Sequence, residues 1–401
     1  MSSIDVTRRQ AIGLSLGAGA LLAGGVLGAG AGPAAAAAPN GTFRATLPGP
    51  TGPHPVGTVS LHLIDATRRV PWVPEHPLRE LMITLWYPAR AGHRYPRAPW
   101  LPAGSAEAFG LDGGFPPGTF RAPVTHGHDG APVQGCLGRL PVVVFSTGKN
   151  GSRFGCTLIC EELAGRGYLV VALDHPYCGL AVEFPDGTVI PAIPDATRDA
   201  HGIAAARVAD TRFVLDALEV LDAGGNPDVD RHPLPAGLAS AFDLSRVAMF
   251  GYSLGGGTVA ASMYEDDRIL AGLSLDGAVY GPVQSAGLDR PYLPLDLNKS
   301  SRAIPALAEF WSHLRGWRLN LRVEETKHIS LGDEELIVPQ AAAWLGWSAQ
   351  QVADLIGTLR PERALAIQRA YPRAFFDLHL RHEGRLLAGP SPRFPEVRFL
   401  P

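Results

Sequence analysis

The sequence predicts a parallel, doubly wound α/β sheet, and three observations carry that expectation. Continuous apolar runs at 141–145 and 168–173 lack the alternation of a half-exposed strand, so they read as strands covered on both faces. Segments with helical spacing, 157–164 and 200–221, separate them from the next strand, as strand–helix–strand units require. Between the short apolar run 247–250 and a small-residue helix at 254–264 stands Gly251-Tyr252-Ser253-Leu254-Gly255, one serine packed among glycines at a strand-to-helix turn.

The elements follow in order. Residues 1–38 hold the pair Arg8-Arg9, an uncharged stretch from Ala11 to Gly32 and small residues up to Ala38, which reads as a twin-arginine export signal cleaved near Ala36–Ala38. A removed leader implies a soluble mature protein secreted outside the cytoplasm. Residues 39–401 are expected to form one domain. A β-rich run at 81–87 ends at Pro88; residues 89–139, rich in Pro, Gly and His without periodicity, read as a long surface excursion. After strand 141–145 come a loop at 146–153, helix 157–164, strand 168–173, helix 200–221, strand 247–250 and helix 254–264. Strands are expected at 269–275 and 292–295, the second weakened by Pro294. The chain after His328 reads as mainly helical over 330–375, and 390–401 as an extended tail.

Composition narrows the function. Among 401 residues, 46% are hydrophobic and 18% charged, and the net charge of −3 provides no broad basic field for nucleic acid. Four cysteines, Cys136, Cys156, Cys160 and Cys178, fit no zinc-ligand spacing; in an exported protein one or two disulfides are open to them, with no pairing legible. His126-Gly127-His128-Asp129 reads as a solvated loop rather than a metal site. Glu183 to Gly187 reads as a hairpin turn near the site, and Trp311, Trp317, Trp344 and Trp347 as core more readily than as the wall of an acyl pocket.

The glycine-flanked serine is the strongest signal. A strand, Gly-x-Ser-x-Gly and a helix form the context in which a sharp turn presents a nucleophile, whereas the phosphate-loop and dinucleotide patterns both fail here. A serine hydroxyl needs a base to take its proton and a carboxylate to steer that base. On α/β hydrolases the chain order is Ser, acid, His. His328 follows the strand-like run 319–323; His313, His379 and His382 are the alternatives, the last two read as surface residues. Asp276 and Asp296 each end a strand, and the residues alone leave them level.

Several stretches then point one way: GPHPVGTVSLHLID, RRVPWVPEHPLRELMITLWYPA, VVVFSTG, DHPYCGLAVEFPDG, GYSLGGGT, SLDG and ETKHISLGD. Over about residues 52–335 the chain resembles the secreted, lipoprotein-associated form of the platelet-activating-factor acetylhydrolase family and its bacterial relatives. The resemblance implies an α/β-hydrolase fold with helices on both faces and a helical C-terminal insertion or lid. It implies a serine esterase in which Ser253 is nucleophile, Asp276 rather than Asp296 the acid and His328 the base. The oxyanion donors it implies are the N–H groups of Leu254 and Lys149. No cofactor or metal is implied. The partner is a small-molecule or lipid ester, with transient contact to a lipid surface open. Thr147 and Tyr252 stand where many relatives carry histidine, which bears on substrate fit. A lipase or a cutinase-like polyesterase would share the triad, and a non-catalytic lipid-binding scaffold would keep the fold without turnover.

Overall fold

A computed structural model describes residues 41–73, 75, 78–193, 199–297 and 303–401. The leader at 1–38 lies outside the described residues. In chain order the first elements are β1 (Phe43–Arg44), β2 (Val56–Asp65), β3 (Arg79–Pro88), β4 (Arg97–Pro99), α1 (Ala103–Asp112), β5 (Phe120–Arg121), β6 (Val124–Asp129), β7 (Leu140–Ser146), α2 (Thr157–Gly165) and β8 (Leu169–Leu173). Then come β9 (Ala181–Glu183), β10 (Val189–Pro191), α3 (Ala200–Asp222), β11 (Phe242–Tyr252), α4 (Leu254–Glu265), β12 (Ile269–Leu275), α5 (Val283–Ala286), β13 (Tyr292–Leu297), α6 (Pro305–His313) and β14 (Asn320–Val323). The chain closes with α7 (Glu334–Leu345), α8 (Ala349–Ile356), α9 (Pro361–Arg381) and β15 (Val397–Leu400).

Eleven strands form one sheet in the order β15-β14-β13-β12-β11-β7-β8-β3-β2-β6-β4. From β8 across to β14 every neighbour is parallel, while β3 and β15 join antiparallel at either side of that block. This is an α/β-hydrolase fold. The middle strands β7, β8 and β12 are covered on both faces and apolar almost throughout, which is why they read as unbroken runs. Two core clusters lie on opposite faces: one joins Val143, Phe145 and Phe250 to Leu163, Phe375 and Phe376 of α2 and α9, the other joins Val142, Val144 and Met249 to Leu218, Val259 and Met263 of α3 and α4.

The chain runs from β7 outward through α2 to β8, then returns through α3 to β11 on the other side of β7. The connections leaving the carboxyl ends of β7 and β11 therefore diverge, and a crevice opens between them, the place where open α/β sheets hold their ligands. Pro294 is accommodated in β13 because that strand still pairs β12 and β14 through its remaining groups.

Three expectations need correction. Residues 89–139 are no surface excursion: they contain α1, β4 and β6, extend the sheet edge, and bury Trp100, Leu101, Phe115 and Phe120 in the core. Aromatic residues spaced without period were what hid this. His126 and His128 lie in β6 rather than a loop, each with a ring nitrogen on a backbone carbonyl, Leu47 and Tyr95 respectively. His379 is half-buried, its ring against Trp317 and Phe375, and burial lowers its pKa to about 4; His382 is exposed. The C-terminal helices are present, and the long one, α9, lies over the sheet against α2. All four cysteines are unpaired thiols, Cys136 exposed and the others buried.

Candidate active site

Ser253 sits between the end of β11 and the start of α4 with φ 55° and ψ −118°, a left-handed conformation that costs a serine about 1–3 kcal/mol and persists only where the surroundings enforce it. Here they do. The Ser253 N–H donates to Leu275 O at 2.8 Å, and Gly257 N–H donates to Ser253 O at 3.0 Å. The flanking glycines are required by close approach. A Cβ on Gly251 would lie 2.3 Å from the backbone of Gly255, and one on Gly255 would lie 2.0 Å from Ser146 O. Strand and helix thus pass at a separation only glycine permits, and the serine is pushed out at their junction.

His328, in the connection between β14 and α7, places Nε2 2.8 Å from Ser253 Oγ and Nδ1 2.5 Å from Asp276 Oδ2. Asp276 follows β12 directly; its other oxygen accepts the Leu297 N–H at 3.0 Å, and its own N–H donates to Leu295 O. With both oxygens engaged the carboxylate cannot rotate away from the imidazole. The structure therefore brings together three residues spread over 75 positions of sequence. Asp296 does not join them. It is buried in β13, where it accepts from Asn320 Nδ2 at 3.0 Å.

Sequence reasoning passed over the role of Tyr252. Its hydroxyl donates to the backbone carbonyl of His328 at 2.5 Å and its ring stacks on the imidazole, with centroids 5.3 Å apart. The residue before Ser253 thus fixes the loop that carries His328. Nothing in the motif announces it, since the contact closes across 76 residues.

The loop after β7 lies over the serine: a Cβ on Gly148 would come 3.4 Å from Ser253 Cβ. Lys149 and Leu254 flank Ser253, and among the described residues neither N–H donates to another backbone group. For Leu254 this follows from its place as the first residue of α4, whose leading N–H groups have no carbonyl within the helix. The cleft wall is apolar along Trp100, Leu101, Phe109, Leu180 and Ile329, with Asp112, Lys149 and Glu334 as its charged members. Trp100 is clamped by its indole N–H to Asp333 Oδ2 at 2.8 Å; Asp333 also accepts the N–H groups of Thr157 and Leu158 at the start of α2. Burial raises the Asp333 carboxyl to about 6 and, with Asp333 beside it, the Glu334 carboxyl to about 7. The four tryptophans noted in the sequence lie elsewhere, Trp344 against Phe43 and Phe115, Trp317 against Phe375, Trp347 in a satellite cluster and Trp311 under Arg318.

A hydroxyl, an imidazole and a carboxylate in series can move a proton off an attacking oxygen, and free N–H groups beside it can hold the negative charge that attack creates. Comparison with known proteins agrees with that chemistry. The family model described as platelet-activating factor acetylhydrolase, isoform II, matches residues 41–177. A probable 1-alkyl-2-acetylglycerophosphocholine esterase from Arthroderma benhamiae is 28% identical over 391 residues, spanning 88% of this chain and 93% of the relative. By these matches the chain resembles the platelet-activating factor acetylhydrolase family. It is a carboxylic ester hydrolase. A solved structure, the ferulic acid esterase of Streptomyces cinnamoneus, is 33% identical to the esterase and superposes with a TM-score of 0.72, covering 89% of this chain and 99% of its own. Away from the cleft lining, Asp228, Asp230 and His232 bring donor atoms within 4.8 Å of one another, the latter two exposed, a D-x-D-x-H spacing that reading the sequence did not single out.

Proposed function

We propose that the esterase is an exported serine hydrolase of short acyl esters on phospholipid-like or other small alcohols. Ser253 Oγ attacks the ester carbonyl while His328 Nε2 takes its proton. Asp276 holds Nδ1–H and stabilises the imidazolium, and the Lys149 and Leu254 N–H groups hold the oxyanion. Collapse releases the alcohol, protonated by His328, and leaves an acyl group on Ser253. Water, deprotonated by the same histidine, then frees the acid. The carrying observation is the relay itself, 2.8 Å from Ser253 Oγ to His328 and 2.5 Å from His328 to Asp276, with the serine held at positive φ. Resemblance to the acetylglycerophosphocholine esterase supports a short acyl group. The paired arginine and apolar leader at 1–38 support export by the twin-arginine route.

A second reading has its own support. The apolar wall formed by Trp100, Leu101 and Phe109 suits a flat aromatic acyl group, and the 33% identical relative is a ferulic acid esterase. Hydrolysis of p-nitrophenyl esters from acetyl to palmitoyl, alongside methyl ferulate and an acetylated glycerophosphocholine, separates the two readings and a lipase from both. Asp276→Asn is expected to abolish turnover in that series while Asp296→Asn retains it; the reverse would reassign the acid.

A further inference from the structure

A second polar chain lies buried directly behind the loop over the nucleophile. Ser146, the last residue of β7, has Oγ 2.9 Å from His175 Nε2; His175 Nδ1 lies 2.8 Å from Asp210 Oδ2; and Asp210 is gripped by Arg79 through two bonds of 2.6 and 3.0 Å. One turn before Asp210 on α3 stands Arg207, with no exposed surface at all. Its guanidinium donates to the carbonyls of Thr147, from Nη1, and Gly148, from Nη2 at 3.1 Å. Apart from a bond to the Cys178 side chain and the nearby charge of Asp210, this buried guanidinium is spent on two backbone carbonyls, with no carboxylate hydrogen bond among the described residues, a costly arrangement, so the placement calls for a reason.

Peptide geometry supplies it. Across a trans peptide the carbonyl of one residue and the N–H of the next point in opposite directions. The Gly148 carbonyl is turned inward onto Arg207, so the Lys149 N–H of the same peptide plane is turned outward. The outer side is the cleft, because the Gly148 backbone lies against Tyr252 and Ser253. A cation on the carbonyl also polarises the amide and strengthens its N–H as a donor. From this geometry we infer that Arg207 is a positioning residue for ester hydrolysis, aiming and polarising the Lys149 N–H at the oxyanion. The inference rests on the reading of Lys149 N–H as an oxyanion donor. The buried Asp210–His175–Ser146 chain holds the strand end from which that loop departs, and Asn150 N–H, bonded to Cys178 O at 2.9 Å, pins its far side.

The test uses the mature enzyme, p-nitrophenyl acetate, and an aliphatic trifluoromethyl ketone, which adds reversibly to a serine and carries an oxyanion. Arg207→Met is expected to lower kcat per active site by about 100-fold with KM within about twofold, and to raise the ketone Ki in step with the fall in kcat/KM. Active sites are counted by the end-point of phosphonate labelling, so that loss of folded protein does not enter kcat. Arg207→Lys, which keeps the charge but lacks the fork, should fall between. A purely structural Arg207 would reduce the number of titrated sites and leave kcat per site and Ki unchanged. That result overturns the inference. If Arg207→Met does not fold, Arg207→Gln decides by the same two readings. Failure of the underlying assignment shows separately, as Ser253→Ala retaining turnover or the wild-type enzyme ignoring the ketone.

Discussion

Two serine–histidine–aspartate series run through this esterase on neighbouring strands, since Ser146 at the end of β7 pairs in register with Gly251, two residues before Ser253. Their connectivity is the same. One has oxygen-to-nitrogen distances of 2.8 and 2.5 Å through His328, the other 2.9 and 2.8 Å through His175. Their surroundings differ in every respect that matters for reaction. The side chains of His328 and Asp276 are 32% and 22% exposed, and Ser253 stands on a left-handed turn at a helix start with free N–H groups beside it. His175 and Asp210 have no exposure, Ser146 ends an extended strand, and the carboxylate is shared with Arg79 and Arg68. On the proposed function, the shared relay is therefore not what makes a site catalytic. Access, the strained presentation of the hydroxyl and a place for the oxyanion are, and without them the same atoms serve as buried scaffolding.

The largest expected effect breaks this contrast most directly. Ser253→Ala is expected to lower kcat by about 10⁴-fold or more, whereas Ser146→Ala is expected to cost at most about tenfold through a loosened loop. A fluorophosphonate should label the peptide that contains Ser253 and leave Ser146 unmodified, read by mass spectrometry. Equal losses in the two alanine variants would mean that the buried series takes part in chemistry.

The two aspartates should fail in opposite ways. Asp276→Asn is expected to drop kcat by about 10⁴-fold with little change in the urea midpoint, because it alters the histidine's tautomer in a partly solvated site. Asp210→Asn strands Arg79 in the core and is expected to cost about 3–5 kcal/mol of stability, measured by equilibrium unfolding, with a smaller fall in kcat per folded site. A stable Asp210→Asn with kcat per site lowered as far as in Asp276→Asn would erase the distinction.

How much of this was legible in the sequence divides along the same line. The motif Gly251–Gly255 and the apolar strands announced the sheet and the sharp turn that carries Ser253, because close approach and two-sided burial act on adjacent residues. Asp276 could not be told from Asp296 by residues alone, since both end strands; only the family resemblance chose, and the 2.5 Å contact with His328 agrees with that choice. The buried series was invisible: Ser146 ends β7, His175 lies in the loop after β8 and Asp210 in α3, with no motif linking them, and Arg207 reads as an ordinary residue of an amphipathic helix. The stretch 89–139 misled for a related reason. Its Pro and Gly content signals turns, while the burial of Trp100 and Phe120 depends on partners far along the chain.

The smallest expected effect is one of pH, and it belongs to the buried series. Burial, with the Arg207 charge nearby, lowers His175 from 6.5 to about 4, against the opposing pull of Asp210; Arg79 adds to the lowering. The folded state thus holds His175 neutral, with Nδ1–H donated to Asp210 and Nε2 accepting from Ser146, while the unfolded chain takes up a proton near 6.5. A folded value below the unfolded one places the stabilising contribution above about pH 6.5 and removes it as pH falls toward about 4, a loss of about 2–3 kcal/mol across that window. Asp333 and Glu334, raised to about 6 and about 7, act with the opposite sign, since they favour the folded state when protonated and lose that contribution as pH rises. The wild-type profile sums both, so the His175→Gln variant is the informative partner: it should be less stable at pH 7 yet lose less further stability between pH 7 and pH 4.5 than the wild type does. Parallel urea-midpoint profiles for the two proteins would show that His175 is protonated in the folded state, and would remove the electrostatic half of the contrast between the two series.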